Sequence, residues 1–416
     1  MAEELADQPG KQAEELADQP KGTAEEVEPQ YVFSDEQGQL RDAVAEFCAE
    51  FIDESAVRAV MEADPPFDAK IWSRLGTELG VLGLSAPESV GGAGGTLIDQ
   101  AVAVEQLGAA LACGPLFGTV YLGIPALVAA TAGAGDQDGV LASLIEGTRT
   151  AAFAVTDSAG AFDPSTVSVE ATPGREDWSL NGTVERVVDA GAADVLLVAA
   201  NGPEGVGLYA VDADATGVQR IPLTTLDLTR PQATVGLFDA PARLISGPGA
   251  AERVITHALQ VGTALLAVEQ VGAASHLLDL TVQYAKDRLQ FGRPIGSFQA
   301  VKHRLADDLV ALEHAKSAAY HAVWALTEGA DDPALEVSIA AALCSSALTR
   351  IATDTIQIHG GIGFTWEHQA HLYYKRAYTD AALLGSAESH RARVAEFVLD
   401  AAPEKTPPRV ATGVPS

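Results

Sequence analysis

The chain is poor in cysteine and in basic residues, and it lacks long apolar runs. Three of its 416 residues are cysteines (Cys48, Cys113 and Cys344), and none of them belongs to a CxxC pair. An odd number of widely spaced cysteines supports neither a disulfide framework nor a zinc site, so we expect three small core residues in a reduced protein. No uninterrupted apolar run approaches the roughly 20 residues of a membrane span, and the acidic N-terminus carries no secretory signal. These absences indicate a soluble cytoplasmic protein.

The charge balance is strongly acidic. Lysine and arginine together number 26 against 57 aspartates and glutamates, which gives a formal net charge of −31 and an isoelectric point near 4.5. A surface of this sign repels phosphate backbones, so a nucleic-acid partner is disfavoured. The apolar fraction of 47% is that of a globular protein, and the length predicts two or three domains with a large core.

Both ends of the chain differ in composition from the rest. The octapeptide Ala2–Pro9 recurs without change at Ala13–Pro20, and residues 1–30 hold nine acids against two lysines. Each repeat contains a proline and too few apolar residues for a helical stripe, which predicts a disordered acidic tail. A solubilising extension is favoured over a partner-binding segment. Residues 401–416 are predicted to form a second flexible tail.

The remaining residues divide into three segments by hydrophobic pattern. In 31–150, apolar residues recur at helical spacing, beginning after a capping box at Ser34–Gln37. The predicted helices there are Leu40–Phe51, Ile71–Gly80, Leu97–Ala112 and Leu116–Thr131. In 151–246, short β-prone runs separated by glycine, proline, aspartate and asparagine favour an antiparallel sandwich or barrel. In 247–400, long helical patterns favour a bundle. The predicted strands are Ala151–Val155, Thr166–Glu170, Trp178–Asn181, Asp194–Ala199, Gly207–Val211 and Ala233–Phe238; the predicted C-terminal helices are Ile255–Gln290, Ser297–Leu326, Pro333–Gly360 and Thr365–Val398.

Two polar motifs interrupt the last segment. The first, Lys286–Gln299, joins two long helices through a turn rich in glycine and proline; arginines there suit phosphate, and Phe291 offers an aromatic face. The second, Gln357–Phe364, has three glycines in four positions, which lets a backbone approach an anion closely. Taken singly, each motif is also compatible with an ordinary helix corner or helix C-cap.

Together, in this order, the two motifs resemble the signatures of the acyl-CoA dehydrogenase family. One is an Arg-x-x-Phe-Gly-x-Pro-Ile corner from Arg288, and the other is a Gln-x-His-Gly-Gly-x-Gly turn from Gln357. The resemblance covers about residues 31–400 and implies an α+β fold. Its parts are an N-terminal helical domain, a central antiparallel β domain and a C-terminal four-helix bundle.

The resemblance also implies FAD, an acyl-CoA substrate and a homo- or hetero-tetramer that passes electrons to an electron-transfer flavoprotein or a similar acceptor. One flavin in this family is completed by two chains. The positions that match its flavin contacts are Arg288, Phe291, Gln299, Gln357, Gly360, Gly361 and, in the β domain, Thr156.

The sequence departs from the family at the flavin ring. Phe162 stands where the family has a serine, and Arg186–Asp189 replaces a tryptophan-threonine pair. These departures predict an altered flavin pocket.

The family's catalytic base is also missing. Removing the α-proton of a thioester requires a carboxylate within hydrogen-bond reach, yet the usual position holds Leu384 and the alternative one holds Gly262. Glu269, two helical turns after Gly262, is the remaining candidate base, and pairing with an arginine is the favoured alternative because an unpaired buried carboxylate is costly. Glu388 is interpreted as a solvated surface charge, and His359 and Trp366 as packing or cofactor-adjacent residues.

Two functions remain open on this evidence. The first is FAD-dependent α,β-dehydrogenation of an acyl-CoA thioester, carried out alone or as the base-lacking subunit of a heteromer of the bacterial steroid type. The second is a flavin-dependent monooxygenase or oxidase on the same fold, which needs no α-proton base. A nucleic-acid-binding relative is disfavoured by the net charge of −31.

Overall fold

The computed structural model of the chain describes residues 33–131, 139–155, 162–175, 177–329 and 331–399. Along these residues a helical part is followed by a β part and then by a second helical part, which confirms the predicted order. The acidic repeat and the C-terminal tail lie outside the described residues, so the predictions made for them stay predictions.

The first helical part begins at the predicted capping box. The hydroxyl of Ser34 accepts the N–H of Gln37 at 3.2 Å, and the amide oxygen of Gln37 accepts the N–H of Ser34 at 3.1 Å. Two backbone donors that the first turn leaves free are thereby satisfied. The helices are α1 (Asp35–Phe51), α2 (Glu54–Met61), α3 (Ala69–Thr77), α4 (Leu97–Ala109), α5 (Ile124–Thr131) and α6 (Val140–Ile145).

A π-helix, Leu116–Gly123, precedes α5, where the sequence predicts one regular helix over Leu116–Thr131. All eight of its residues are buried. Its backbone packs directly on the first strand: a Cβ on Gly118 would lie 2.5 Å from the carbonyl oxygen of Ala151. The wider π turn therefore occupies the junction between the first helical part and the β part.

The β part is a closed ring of strands rather than a purely antiparallel sheet. Strands β4, β2, β3, β7 and β5 pair in that order, and β5 pairs again with β4. Strand β1 adds to β4 in parallel, with Ala151 opposite Val195. Strand β2 also pairs with β4 in parallel, with Glu170 opposite Asn201. Long connections make such parallel pairs possible, so the antiparallel expectation holds for most pairs and fails where β1 and β2 meet β4. The strands are β1 (Ala151–Ala154), β2 (Glu170–Pro173), β3 (Trp178–Val188), β4 (Val195–Gly202), β5 (Gly205–Asp212), β6 (Val218–Pro222) and β7 (Gln232–Ser246).

Two strand predictions were wrong. Of the predicted strand Thr166–Glu170, only Glu170 lies in a strand. Asp163 caps a 3-10 turn at Pro164–Thr166, and β2 begins at Glu170. Strand β6 was not predicted, since its sequence alternates polar and apolar residues only briefly; it pairs with β7, with Ile221 opposite Thr234.

The second helical part contains three long helices and two shorter ones among the described residues. The predicted helix Thr365–Val398 is divided in two, because Leu384 and Gly385 have positive φ angles of 53° and 101°. The helices are α7 (Ala250–Asp287), α8 (Gln299–Glu328), α9 (Pro333–His359), α10 (Ala370–Asp380) and α11 (Ala387–Leu399).

Within the described part of the chain, two helices are long and apolar enough to cross a membrane by length and composition: α7 and the segment Pro333–Phe364. In the most apolar 18-residue stretch of α7, 83% of the residues are buried inside the protein; in that of Pro333–Phe364, 50% are buried. Helix α7 packs against α4, α8, α9 and the π-helix, so its apolar character is that of a core helix.

Helices α4 and α7 approach each other backbone to backbone at two glycines. A Cβ on Gly272 would lie 1.9 Å from the carbonyl oxygen of Glu105, and one on Gly108 would lie 2.4 Å from the carbonyl oxygen of Glu269. Neither neighbour is a flexible side-chain end, so the helices must separate if either glycine gains a side chain.

We expect Gly272→Ala to lower the free energy of unfolding by about 1–3 kcal/mol, because the added methyl group overpacks a rigid contact. Chemical denaturation measures the change. Gly38→Ala is the matched control: Gly38 lies in helix α1 with no heavy atom within 4 Å of the added Cβ, and the same substitution there stabilises by about 0.5–1 kcal/mol. Equal effects at both positions would contradict the packing argument.

Candidate functional site

The first motif forms a rigid corner at one end of the bundle. Helix α7 ends at Asp287, and a short hairpin follows, β8 (Leu289–Gln290) and β9 (Arg293–Pro294). Its two turn residues, Phe291 and Gly292, have φ angles of 53° and 77°. A hairpin turn of two residues favours this pair of positive angles, but a phenylalanine adopts one only at a steric cost. The Phe291 side chain is 92% exposed.

The arginines of this corner are held differently from each other. The guanidinium of Arg293 lies 4.0 Å from the centre of the Phe298 ring, and the carbonyl of Arg288 accepts the N–H of Ile295 at 2.8 Å. The Arg288 side chain is exposed and makes no ion pair with a described residue. Arg288 is therefore available to an anion, as the resemblance implies. Gln299, also exposed, begins α8 at the same corner.

The second motif ends α9 in an open turn. Gly360 has a φ of 64° and starts a 3-10 turn that extends to Phe364. A Cβ on Gly363 would lie 2.8 Å from the Cβ of His359, so that glycine is required for packing. At Gly360 and Gly361 an added Cβ meets nothing within 4 Å. Space beside an exposed backbone is what a bound anion or cofactor requires.

Tyr284 joins the two motifs. Its ring stacks on the His359 imidazole at 4.2 Å, and its hydroxyl donates to the His359 carbonyl at 3.4 Å. Tyr284 lies one helical turn before Arg288, and His359 lies two residues after Gln357, which is exposed. The predicted contacts Arg288, Phe291, Gln299, Gln357, Gly360 and Gly361 thus share one end of the bundle. Thr156 lies outside the described residues.

His359 and Trp366 differ in burial. His359 is 3% exposed, and burial lowers its pKa. Trp366 is 61% exposed, with the ammonium of Lys375 4.4 Å from its ring centre. Glu388 is a solvated side chain at 82% exposure, 3.5 Å from Arg391.

The positions that depart from the family lie in a tightly packed junction. Asp189 is buried with a φ of 63° and accepts the N–H of Gly118 at 2.8 Å. Burial raises its pKa to about 7, although the Gly118 hydrogen bond opposes this. The half-buried ring of Phe162 packs against the main core. The β part is thus tied to the π-helix at the position of the absent tryptophan-threonine pair.

Neither expected position of the catalytic base can present a carboxylate. Leu384 packs its side chain against the main core, and its carbonyl accepts a hydrogen bond from Nε2 of His390 at 2.9 Å. At Gly262, a Cβ would lie 2.4 Å from Cδ2 of Leu122 in the π-helix. The first position is apolar, and the second has no room for a side chain.

Glu269 is the centre of a buried ion network. Its carboxylate accepts from Arg230 and Arg376, each at 2.6 Å, and from the hydroxyl of Tyr121 at 2.9 Å. The side chains of Glu269, Arg230 and Arg376 are 2–5% exposed. Burial acts to raise the pKa of Glu269, but the two arginines lower it to about 2. A carboxylate held ionised by two guanidinium groups is a weak proton acceptor, so the arginine-pairing alternative describes this geometry better than catalysis.

Two further carboxylates complete the network. Asp227 accepts from Arg376 at 3.0 Å, and Asp380 accepts from Arg230 at 2.7 Å. Burial raises the pKa of Asp380 to about 7 against the opposing charge of Arg230. Sequence reasoning missed Arg230, Arg376, Asp227 and Asp380. The available signal was Glu269 itself, because a glutamate in an apolar helix requires a cationic partner.

We expect Glu269→Gln to lower the free energy of unfolding by about 3–5 kcal/mol, because it leaves two buried guanidinium groups without their shared carboxylate. Urea denaturation at pH 7 measures the change. The contribution of the Glu269 carboxylate should be complete above the ordinary pKa of 4.5 and be lost as the pH falls towards 2.

Glu388→Gln is the matched control. It removes an exposed charge whose partner is 3.5 Å away, and such pairs contribute less than about 1 kcal/mol. A Glu269→Gln chain as stable as the control would contradict a structural role for this network.

Comparison with known proteins accounts for both motifs. The acyl-CoA dehydrogenase N-terminal and C-terminal domain models match residues 34–146 and 252–399. The chain is 36% identical to acyl-CoA dehydrogenase IpdE2 of Mycobacterium tuberculosis over 352 residues, which cover 85% of this chain and 94% of that one.

Among solved structures, the ChsE4–ChsE5 complex from Mycobacterium tuberculosis matches with a TM-score of 0.77 at 27% identity, covering 90% of this chain and 99% of that one. The Tcur3481–Tcur3483 steroid ACAD matches with a TM-score of 0.76 at 30% identity, covering 88% and 98%. The chain therefore belongs to the acyl-CoA dehydrogenase family.

Proposed function

We propose that this chain is the base-lacking subunit of a heteromeric, FAD-dependent acyl-CoA dehydrogenase. The observation that carries the proposal is the state of the two base positions. Leu384 is a half-buried leucine that packs against the core, and a Cβ at Gly262 would meet Leu122. The remaining carboxylate, Glu269, is paired with two arginines. A chain with this fold and no proton acceptor needs a partner chain that supplies one.

The residues present fit the adenosine and pyrophosphate side of FAD. Arg288 offers a guanidinium to a diphosphate, and Gly360 and Gly361 leave open space beside exposed backbone. Phe291 offers an exposed aromatic face at the same corner, and Gln299 and Gln357 offer exposed amides there. Thr156 is proposed as a contact of the flavin ring. When bound, FAD supplies the hydride acceptor for Cα–Cβ dehydrogenation.

The junction between the π-helix, β1 and α7 is closely packed. The π-helix packs on β1 through Gly118, and Asp189 binds the same turn. Leu122 of the π-helix lies against Gly262 on α7. The exposed corner with Arg288, by contrast, supports a subunit that contributes contacts to the flavin of a partner chain.

The assembly, substrate and acceptor follow from the same proposal. Related solved structures include a ChsE4–ChsE5 complex and a steroid ACAD of two named chains. We propose a hetero-tetramer that acts on acyl-CoA thioesters, with CoA thioesters of steroid side chains as the first candidates. Electrons would pass to an electron-transfer flavoprotein or a similar acceptor.

The test is to purify the chain alone and after co-expression with a related dehydrogenase chain from its gene neighbourhood. We expect a yellow heteromer whose flavin absorbance bleaches anaerobically with acyl-CoA or steroid-side-chain CoA thioesters, and no bleaching by the chain alone. Bleaching by the chain alone would show a working base and overturn the proposal. Oxygen consumption without dehydrogenation would favour the oxidase or monooxygenase alternative, and absence of flavin from both preparations would exclude both flavoenzyme functions.

We expect Arg288→Ala in the heteromer to weaken flavin binding about 10- to 100-fold, because a charge-assisted hydrogen bond contributes about 1.5–3 kcal/mol. Flavin retained after gel filtration, followed by absorbance, measures the loss. Arg391→Ala is the control: its side chain is 54% exposed and pairs with Glu388 on α11, away from the corner. If both variants lose flavin equally, Arg288 has no specific role.

A further inference from the structure

A small cavity lies inside the second helical part, between α7, α9, α10 and α11. Its volume is about 10 Å³, which is about the smallest cavity that can hold one water molecule. Much of its lining is polar: Thr263 and Gln270 on α7, Ser345 on α9, Asp380 at the end of α10 and His390 on α11.

Two of these side chains each carry one buried polar atom with no partner among the described residues. Asp380 uses Oδ1 to accept from Arg230 at 2.7 Å, and its Oδ2 makes no hydrogen bond. His390 uses Nε2 to bond the Leu384 carbonyl at 2.9 Å, and its Nδ1 makes none. Asp380 is 2% exposed and His390 is 1% exposed. Leaving such atoms unpaired is costly, so a partner is required.

The hydrogen bond to Leu384 decides what kind of partner is needed. A carbonyl oxygen only accepts, so Nε2 of His390 carries the hydrogen and Nδ1 of the neutral ring is an acceptor. Burial favours that neutral ring by lowering the pKa of His390. Above its pKa of about 7 Asp380 is a carboxylate paired with Arg230, and its free oxygen is then an acceptor as well. Two acceptors cannot bond each other, and a molecule with two hydrogens can satisfy both.

We propose that this cavity holds one water molecule that donates one hydrogen to Oδ2 of Asp380 and the other to Nδ1 of His390. The Ser345 hydroxyl or the Gln270 amide can donate to its oxygen, which would complete the two to four bonds of a buried water. The water connects α10 to α11 across residues 381–386. It thereby holds the loop that places Leu384 where the family has its base. This inference does not rest on the heteromeric function proposed above.

The charges around the site favour water over a second buried cation. Asp380 faces Arg230 from the β6–β7 loop and Glu269 from α7, with Arg376 on its own helix. His390 faces the Leu384 carbonyl and Arg393 on its own helix. The guanidinium of Arg230 already lies 2.7 Å from the Asp380 carboxylate, so a neutral donor suffices for the second oxygen.

A crystal structure of the full chain, at a resolution that shows ordered solvent, tests the proposal directly. We expect one peak at about 2.7–3.2 Å from both free atoms. An empty cavity or a direct Asp380–His390 hydrogen bond would overturn the proposal. A peak surrounded by oxygen atoms at about 2.4 Å would indicate a metal cation and also overturn it.

A double-mutant cycle tests the coupling in solution. In His390→Gln the amide nitrogen takes the place of Nε2, which keeps the donor to Leu384 and removes Nδ1. Combined with Asp380→Asn, this variant should depart from additivity by at least about threefold in the unfolding equilibrium constant. His371→Gln is the control, because His371 is also buried on α10 with a free Nε2 but does not line the cavity. Additive effects at both histidines would overturn the proposal; if the His390→Gln chain does not fold, the crystal structure decides.

Discussion

The relative placement of the three parts of this protein depends on one buried carboxylate. Glu269 on α7 binds Arg230 from the β part, Arg376 from α10 and Tyr121 from the π-helix of the first helical part. Removing these charges from water is costly, and only their mutual pairing offsets that cost. Because each partner comes from a different segment, the network forms only when all three parts are correctly docked.

The same docking packs the junction between the π-helix, β1 and α7. The π-helix that carries Tyr121 also places Leu122 against Gly262. The N–H of Gly118 in the same helix donates to the carboxylate of Asp189. Arg288, the residue that follows α7, lies 19 residues beyond Glu269, about 28 Å along the helix axis. The molecule thus has a filled interior junction and, far from it, an exposed corner with Arg288, Phe291 and the open Gly360–Gly361 turn. This separation is what a chain would need if it completes a site in a partner rather than containing one.

Much of this organisation was predictable because it follows from local rules. Helical spacing, the Ser34 capping box and the glycine turn depend on residues a few positions apart, and these predictions placed α1, α7, α8 and α9. The failures have tertiary causes. Strand β1 pairs in parallel with β4 through a long crossover, and the apolar run from Leu116 winds as a π-helix to fit against β1. Neither preference is visible in the segment itself, since both depend on the surface that the segment meets.

The sequence by itself determined the family, the order of the three parts and the absence of a carboxylate at Leu384 and Gly262, because each depends on residue identity at a counted position. Only the tertiary structure decided what Glu269 does. A lone acid in an apolar helix is consistent with a base or with a buried ion pair, and the two differ by which side chains lie within hydrogen-bond distance. Arg230 and Arg376 are 39 and 107 residues away in the chain, so folding alone brings them to that carboxylate.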